Sequence, residues 1–203
     1  MSHLAGWNRH SVRAAAVAVL TTVLLAPAAL ASPITFVSPL SPEAPGATGS
    51  GFVTVVFDGD ANQLRIEADW TGLSGTTTVA HIHCCTLAPG TGTVGVAVTP
   101  GTLPGFPVGT SAGTYVSPVL DLSDPSRYTA SFLNNFGGGT TTGAEAALLA
   151  GMLNGSAYFN VHTSTFPGGE IRGFLSPVPE PTTMMLLGGA IALGVLRRRR
   201  VRG

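Results

Sequence analysis

Apolar and polar side chains alternate most cleanly at Leu64, Ile66, Ala68 and Trp70, interleaved with Arg65, Glu67 and Asp69. A period of two over that length predicts an antiparallel strand with one wet face. The β-branched and aromatic run at 51–57 predicts a second strand, and Asp58-Gly59-Asp60-Ala61-Asn62 turns the chain between them into a hairpin. Further strands are expected at 79–84, 94–98 and 114–120. Near the end of this pattern, Tyr158, Asn160 and His162 share one face of a run whose other face is Ala157, Phe159, Val161 and Thr163. Pro167-Gly168-Gly169 then turns into a second run, in which Glu170, Arg172 and Phe174 oppose Ile171, Gly173 and Leu175, so 156–175 reads as a second hairpin. Period-3.6 signals are few. Asp124-Pro125 starts a short helix running to Asn134, with Asp124 as N-cap. A second helix opens at Thr142, with Glu145 at capping-box spacing and Ala147, Leu148, Met152 and Leu153 as its apolar face; Gly155 ends it. The sum predicts an all-β protein, an antiparallel β-sandwich or flattened barrel with one or two short helices.

The two ends break this pattern. Residues 1–31 carry Arg9 and Arg13, an apolar run, and Ala29-Leu30-Ala31 as a cleavage site, which predicts a secretory signal peptide cut by signal peptidase. At the other end, residues 177–203 hold Pro179-Glu180-Pro181, an expected membrane segment at 182–196, and the cluster Arg197, Arg198, Arg199 and Arg200. The strictly apolar part covers about 20 Å as a helix against a bilayer core of about 30 Å, a gap narrowed by the flanking threonines and by snorkelling arginines. The arginines hold this terminus on the cytoplasmic side. This three-part tail resembles the PEP-CTERM sorting signal of Gram-negative bacteria. That resemblance implies an inner-membrane-anchored precursor handled by an exosortase, followed by delivery to the cell surface or the extracellular space.

Charge then narrows the function. Between the ends, three arginines and no lysine face nine carboxylates, a net charge of −6. Such a surface repels nucleic acid, which needs clustered cations to displace its counterions. It suits a dispersed extracytoplasmic protein. Residues 32–49, rich in Pro, Ser, Gly and Ala, read as an extended leader with one edge strand at 35–37.

Ala80-His81-Ile82-His83, the run 148–154, Tyr158-Phe159-Asn160-Val161-His162-Thr163 and Phe166-Pro167-Gly168-Gly169-Glu170-Ile171-Arg172-Gly173 together resemble the CHRD domain, a module first described in the signalling antagonist chordin. The resemblance covers 50–176 and implies an extracellular β module. It implies no reaction.

The candidate chemistry is a metal site. His81 and His83, two apart on a strand, project from one face, and His162 is the third histidine between the two ends; Cys85 is a possible fourth ligand if the strand continues. Two imidazoles from one strand and one from a partner suit zinc or copper. Against this stands a purely structural reading in which the histidines bond backbone carbonyls or Glu170. A His-x-His strand also occurs in copper–zinc superoxide dismutase, but the rest of that ligand set has no counterpart here. Glu170 is expected to pair with Arg172 or bond across the hairpin, and Asn160 to orient a loop. Cys84 and Cys85 are expected to form a vicinal disulfide if the strand ends there. No nucleophile elbow or His-Glu-x-x-His motif appears. The expected role is therefore non-enzymatic: binding or structure at the cell surface or in the extracellular matrix, toward an unidentified ligand or a polysaccharide matrix. The alternative is a metal-binding redox or storage protein.

Overall fold

The computed structural model describes residues 32–179; the expected signal peptide, the membrane segment at 182–196, Glu180, Pro181 and the arginine cluster lie outside them. Ten strands, β1 to β10, form one continuous, curled antiparallel system: Ile34–Pro42, Ser50–Asp58, Gln63–Thr71, Thr77–His83, Val96–Val98, Gly113–Val116, Leu120–Asp121, Tyr158–Thr163, Ile171–Phe174 and Ser176–Pro177. Their spatial order is β5-β4-β8-β9-β1-β2-β3-β6, with β10 beside β1 and β7 beside β3. The antiparallel sandwich or flattened barrel expected from the alternation is what forms.

The expected hairpins are present. β2 and β3 pair in register from Ser50↔Thr71 to Asp58↔Gln63. Leu64, Ile66, Ala68 and Trp70 are buried while Arg65, Glu67 and Asp69 are exposed. β8 and β9 pair through Tyr158↔Phe174 and Val161↔Ile171.

The expected leader is instead an interior strand. β1 pairs with β2 from Ile34 to Leu40, has β10 on its other side at Phe36 and Val37, and its end, Ser41 and Pro42, crosses to pair with β9. Phe36, Ser38 and Leu40 point inward, 0%, 5% and 2% exposed. Burial of two apolar side chains at period two outweighs the proline-rich composition that suggests a linker. β1 thereby joins the two halves of the system, β2-β3-β6 on one side and β9-β8-β4-β5 on the other.

The expected strand at 114–120 splits into β6 and β7. Ser117 breaks the ladder by exchanging bonds with Ile66: its backbone N–H donates to the Ile66 carbonyl, and its hydroxyl accepts from the Ile66 N–H. Pro118, which has no N–H to donate, follows. The helix expected from Asp124 to Asn134 also divides. Asp124 caps only a 3-10 turn, Pro125–Arg127, and the chain re-extends before α1, Ala130–Asn135, whose cap is Thr129. α2 runs Thr141–Leu153, with Thr140 rather than Thr142 as its cap: the Thr140 hydroxyl accepts from the Gly143 N–H, and Glu145 is buried instead of reaching back. Among the described residues no helix is long and apolar enough to cross a membrane.

Candidate metal centre

β4 and β8 lie side by side with Val79↔His162, His81↔Asn160 and His83↔Tyr158 in register. Ala80, Ile82, Phe159 and Val161 are fully buried in the core. The opposite face carries His81 and His83 from β4, and Tyr158, Asn160 and His162 from β8. That second face is also shut from water, because the loops after β4 and β5 lie across it. His81, His83 and His162 are 6%, 7% and 9% exposed. The His81 and His162 ring centroids lie 5.1 Å apart and face edge to plane. One nitrogen from each of the three rings lies within 4.8 Å of the others.

Backbone carbonyls set the tautomers. His81 Nε2 is 2.6 Å from the Gly101 carbonyl oxygen, His83 Nδ1 is 2.7 Å from that of Val94, and His162 Nδ1 is 2.8 Å from that of Pro167. A carbonyl oxygen only accepts, so each of these three nitrogens carries the proton. The lone pairs therefore sit on His81 Nδ1, His83 Nε2 and His162 Nε2. His81 Nδ1 and His162 Nε2 meet at 3.3 Å, acceptor against acceptor. His83 Nε2 is buried with no hydrogen-bond partner. Burial holds the His83 imidazolium down to about 4 against the opposing pull of the Val94 carbonyl, and lowers His81 in the same way. Protonation at neutral pH thus does not satisfy the His83 lone pair. Tetrahedral ligands about 2.0–2.1 Å from zinc lie about 3.3–3.4 Å from one another, so the His81–His162 pair already has the separation, and the third nitrogen lies within 4.8 Å of both.

A polar frame stands behind the rings. Asn160 is 1% exposed, and its Nδ2 donates to Glu43 Oε1 at 3.2 Å. Glu43, just past β1, pairs through its other oxygen with Arg172 Nε at 3.3 Å. Burial raises the Glu43 carboxyl above its ordinary value, against the opposing effects of Asn160 and Arg172. The Arg172 guanidinium lies 5.1 Å from the Tyr158 ring centre, and that ring stacks on His83 at 4.7 Å. Gly169 has φ +124°, and a Cβ there would overlap the Glu43 carboxylate, so only glycine leaves room for this frame.

One expectation is corrected, and of the two partnerships expected for Glu170 the bond across the hairpin forms. Cys85 is no fourth ligand: it forms a vicinal disulfide with Cys84, and its sulfur lies 3.6 Å from the Ala147 carbonyl on α2. Glu170 does not pair with Arg172, which takes Glu43 instead. Glu170 is fully buried and accepts from the Thr163 hydroxyl across the hairpin and from the Ser74 and Gly75 N–H groups. Burial pushes its carboxyl up, and these donors together outweigh burial and leave it lowered. The sequence did not single out Glu43, which follows β1 in the stretch expected to be a leader. Asn160 bonds Glu43, the first residue of the loop between β1 and β2.

The chain matches the CHRD domain over residues 30–175, a span that takes in β1. It matches the PEP-CTERM protein-sorting motif over 177–200. Neither the curated proteins nor the solved structures contain a match. A PEP-CTERM motif is read by an exosortase, and exposed Pro179 stands at the end of the described residues, inside that matched span. The chain belongs to the CHRD domain family and is an exosortase-sorted extracellular protein.

Proposed function

We propose that this exported domain binds a zinc or copper ion through His81 Nδ1, His83 Nε2 and His162 Nε2, and that it serves in binding or structure rather than turnover. One observation carries the reading: three buried imidazoles each donate to a backbone carbonyl, one nitrogen from each lies within 4.8 Å of the others, and the free nitrogens of His81 and His162 meet at 3.3 Å. Purely structural histidines would be expected to find donors for those lone pairs. Ligating histidines characteristically have the opposite nitrogen anchored as here. Neutral nitrogen ligands without a carboxylate or thiolate suit zinc and copper over calcium or magnesium. Elemental analysis of the full chain purified in detergent tests the proposal. Zinc or copper equimolar with the wild type, and lost in His83→Ala, supports it; neither metal in either protein ends it.

A second reading, contact with a ligand or a polysaccharide matrix, rests on the far side of the fold. There Phe52 and Val116, 42% and 67% exposed, flank a shallow cavity of about 250 Å³ with Thr54, Glu67 and Asp69. An exposed aromatic ring among hydrogen-bonding groups fits a sugar face. Co-sedimentation with extracellular polysaccharide should weaken in Phe52→Ala; equal sedimentation of the two proteins removes this reading.

A further inference from the structure

The three histidines leave one side of the proposed ion without a protein ligand. Among the described residues, no Asp, Glu or Cys joins them in a metal-binding group. Cys85 is held in its disulfide, and the Tyr158 hydroxyl is bonded to Val94. One polar atom on the histidine face remains: Asn160 Oδ1, buried and without a hydrogen-bond partner. Its orientation is fixed, because Nδ2 must point to Glu43 in order to donate, and Glu43 is itself held by Arg172. Asn160 stands opposite His81 in the strand register.

Resting on the metal reading, we infer that the fourth position on the ion is exchangeable, and that Asn160 Oδ1 reserves it for a ligand that offers the ion a lone pair and Asn160 an O–H. Water and hydroxide meet both conditions. A buried amide oxygen accepts hydrogen bonds and donates none, so it favours such ligands over anions without hydrogen. Leaving Asn160 Oδ1 and the open position both unfilled would cost two desolvated groups; one bound water satisfies both. Asn160 is thus a specificity-determining residue for whatever enters the site, and the Arg172–Glu43 pair is what keeps its amide from turning over.

Cobalt(II) loaded into the metal-free full chain, followed by its visible spectrum during an azide titration, tests this. Azide carries no hydrogen for Asn160. Wild-type protein should take up an equimolar amount of cobalt and show a saturable azide-dependent spectral change. In Asn160→Leu, cobalt should still bind through the three histidines, while azide affinity rises about tenfold because water has lost its anchor. If cobalt binds but the wild-type spectrum ignores azide, the position is closed, and this inference falls while the three-histidine site stands. Unchanged or weaker azide binding in Asn160→Leu also overturns the role of Asn160. Failure of cobalt to bind the wild type overturns both the site and its fourth position.

Discussion

The β2–β3 hairpin and the β4–β8 pair present the same alternation and finish their second faces in opposite ways. On β3 the second face is Arg65, Glu67 and Asp69 in water. On β8 all six residues are buried, so the second face, Tyr158, Asn160 and His162, is polar and dry. Water satisfies the first at no structural cost. The second needs partners from the protein itself, and it has them at Val94, Gly101, Pro167 and Glu43, except for the lone pairs left without a donor on His81 Nδ1, His83 Nε2, His162 Nε2 and Asn160 Oδ1. Buried polar groups without partners are rare in folded proteins, and when several face one another they mark a place prepared for something else.

Removing partners from the dry half should hurt most. Glu170→Ala strands the Thr163 hydroxyl and the Ser74 and Gly75 N–H groups, and denaturant unfolding should show a loss on the order of 4 kcal/mol. Acid is the next test. In the metal-free chain, His83 titrates near 4 when folded and near its ordinary 6.5 when unfolded, so between those values the unfolded chain binds the extra proton. Stability from this group is intact above about 6.5 and falls as pH drops toward 4, by about 3 kcal/mol in all. A Tm-versus-pH series should show that fall, and His83→Ala should make it smaller, leaving the shares of His81 and Glu170.

Smaller effects follow at the disulfide and on the wet face. A methyl at Gly151 would overlap both sulfurs of the Cys84–Cys85 bridge. Gly151→Ala should therefore cost about 2 kcal/mol by chemical unfolding, despite the better helix propensity of alanine. On the wet face, Arg65→Ala should change stability by less than about 0.5 kcal/mol. A large Arg65→Ala effect would show that the two faces are not as different as their burial.

The same contrast governs what the sequence revealed. Period-two alternation exposed β3 and the 156–175 hairpin, because burial on one face leaves a mark in residue type. β1 was hidden, since Pro39, Pro42 and the small residues around them outnumber Phe36 and Leu40, and composition spoke for a linker. The helix start was misplaced because Thr140 and Thr142 are chemically identical caps, separated only by which one keeps an extended backbone. His81, His83 and His162 were visible as residue types, and strand periodicity aligned the first two. The rest of the site was not legible. The carbonyls of Val94, Gly101 and Pro167 that set the tautomers belong to the backbone, which every residue carries. Glu43 reaches Asn160 and Arg172 only because β1 changes partner from β2 to β9.

Calorimetric titration of the metal-free full chain with zinc, and separately with copper(II), reaches the central claim most directly. The account predicts saturable binding of an equimolar ion to the wild type for at least one metal, abolished in His162→Ala, which removes the only ligand contributed by β8. Absence of saturable binding for both metals, or binding undiminished in His162→Ala, would contradict it.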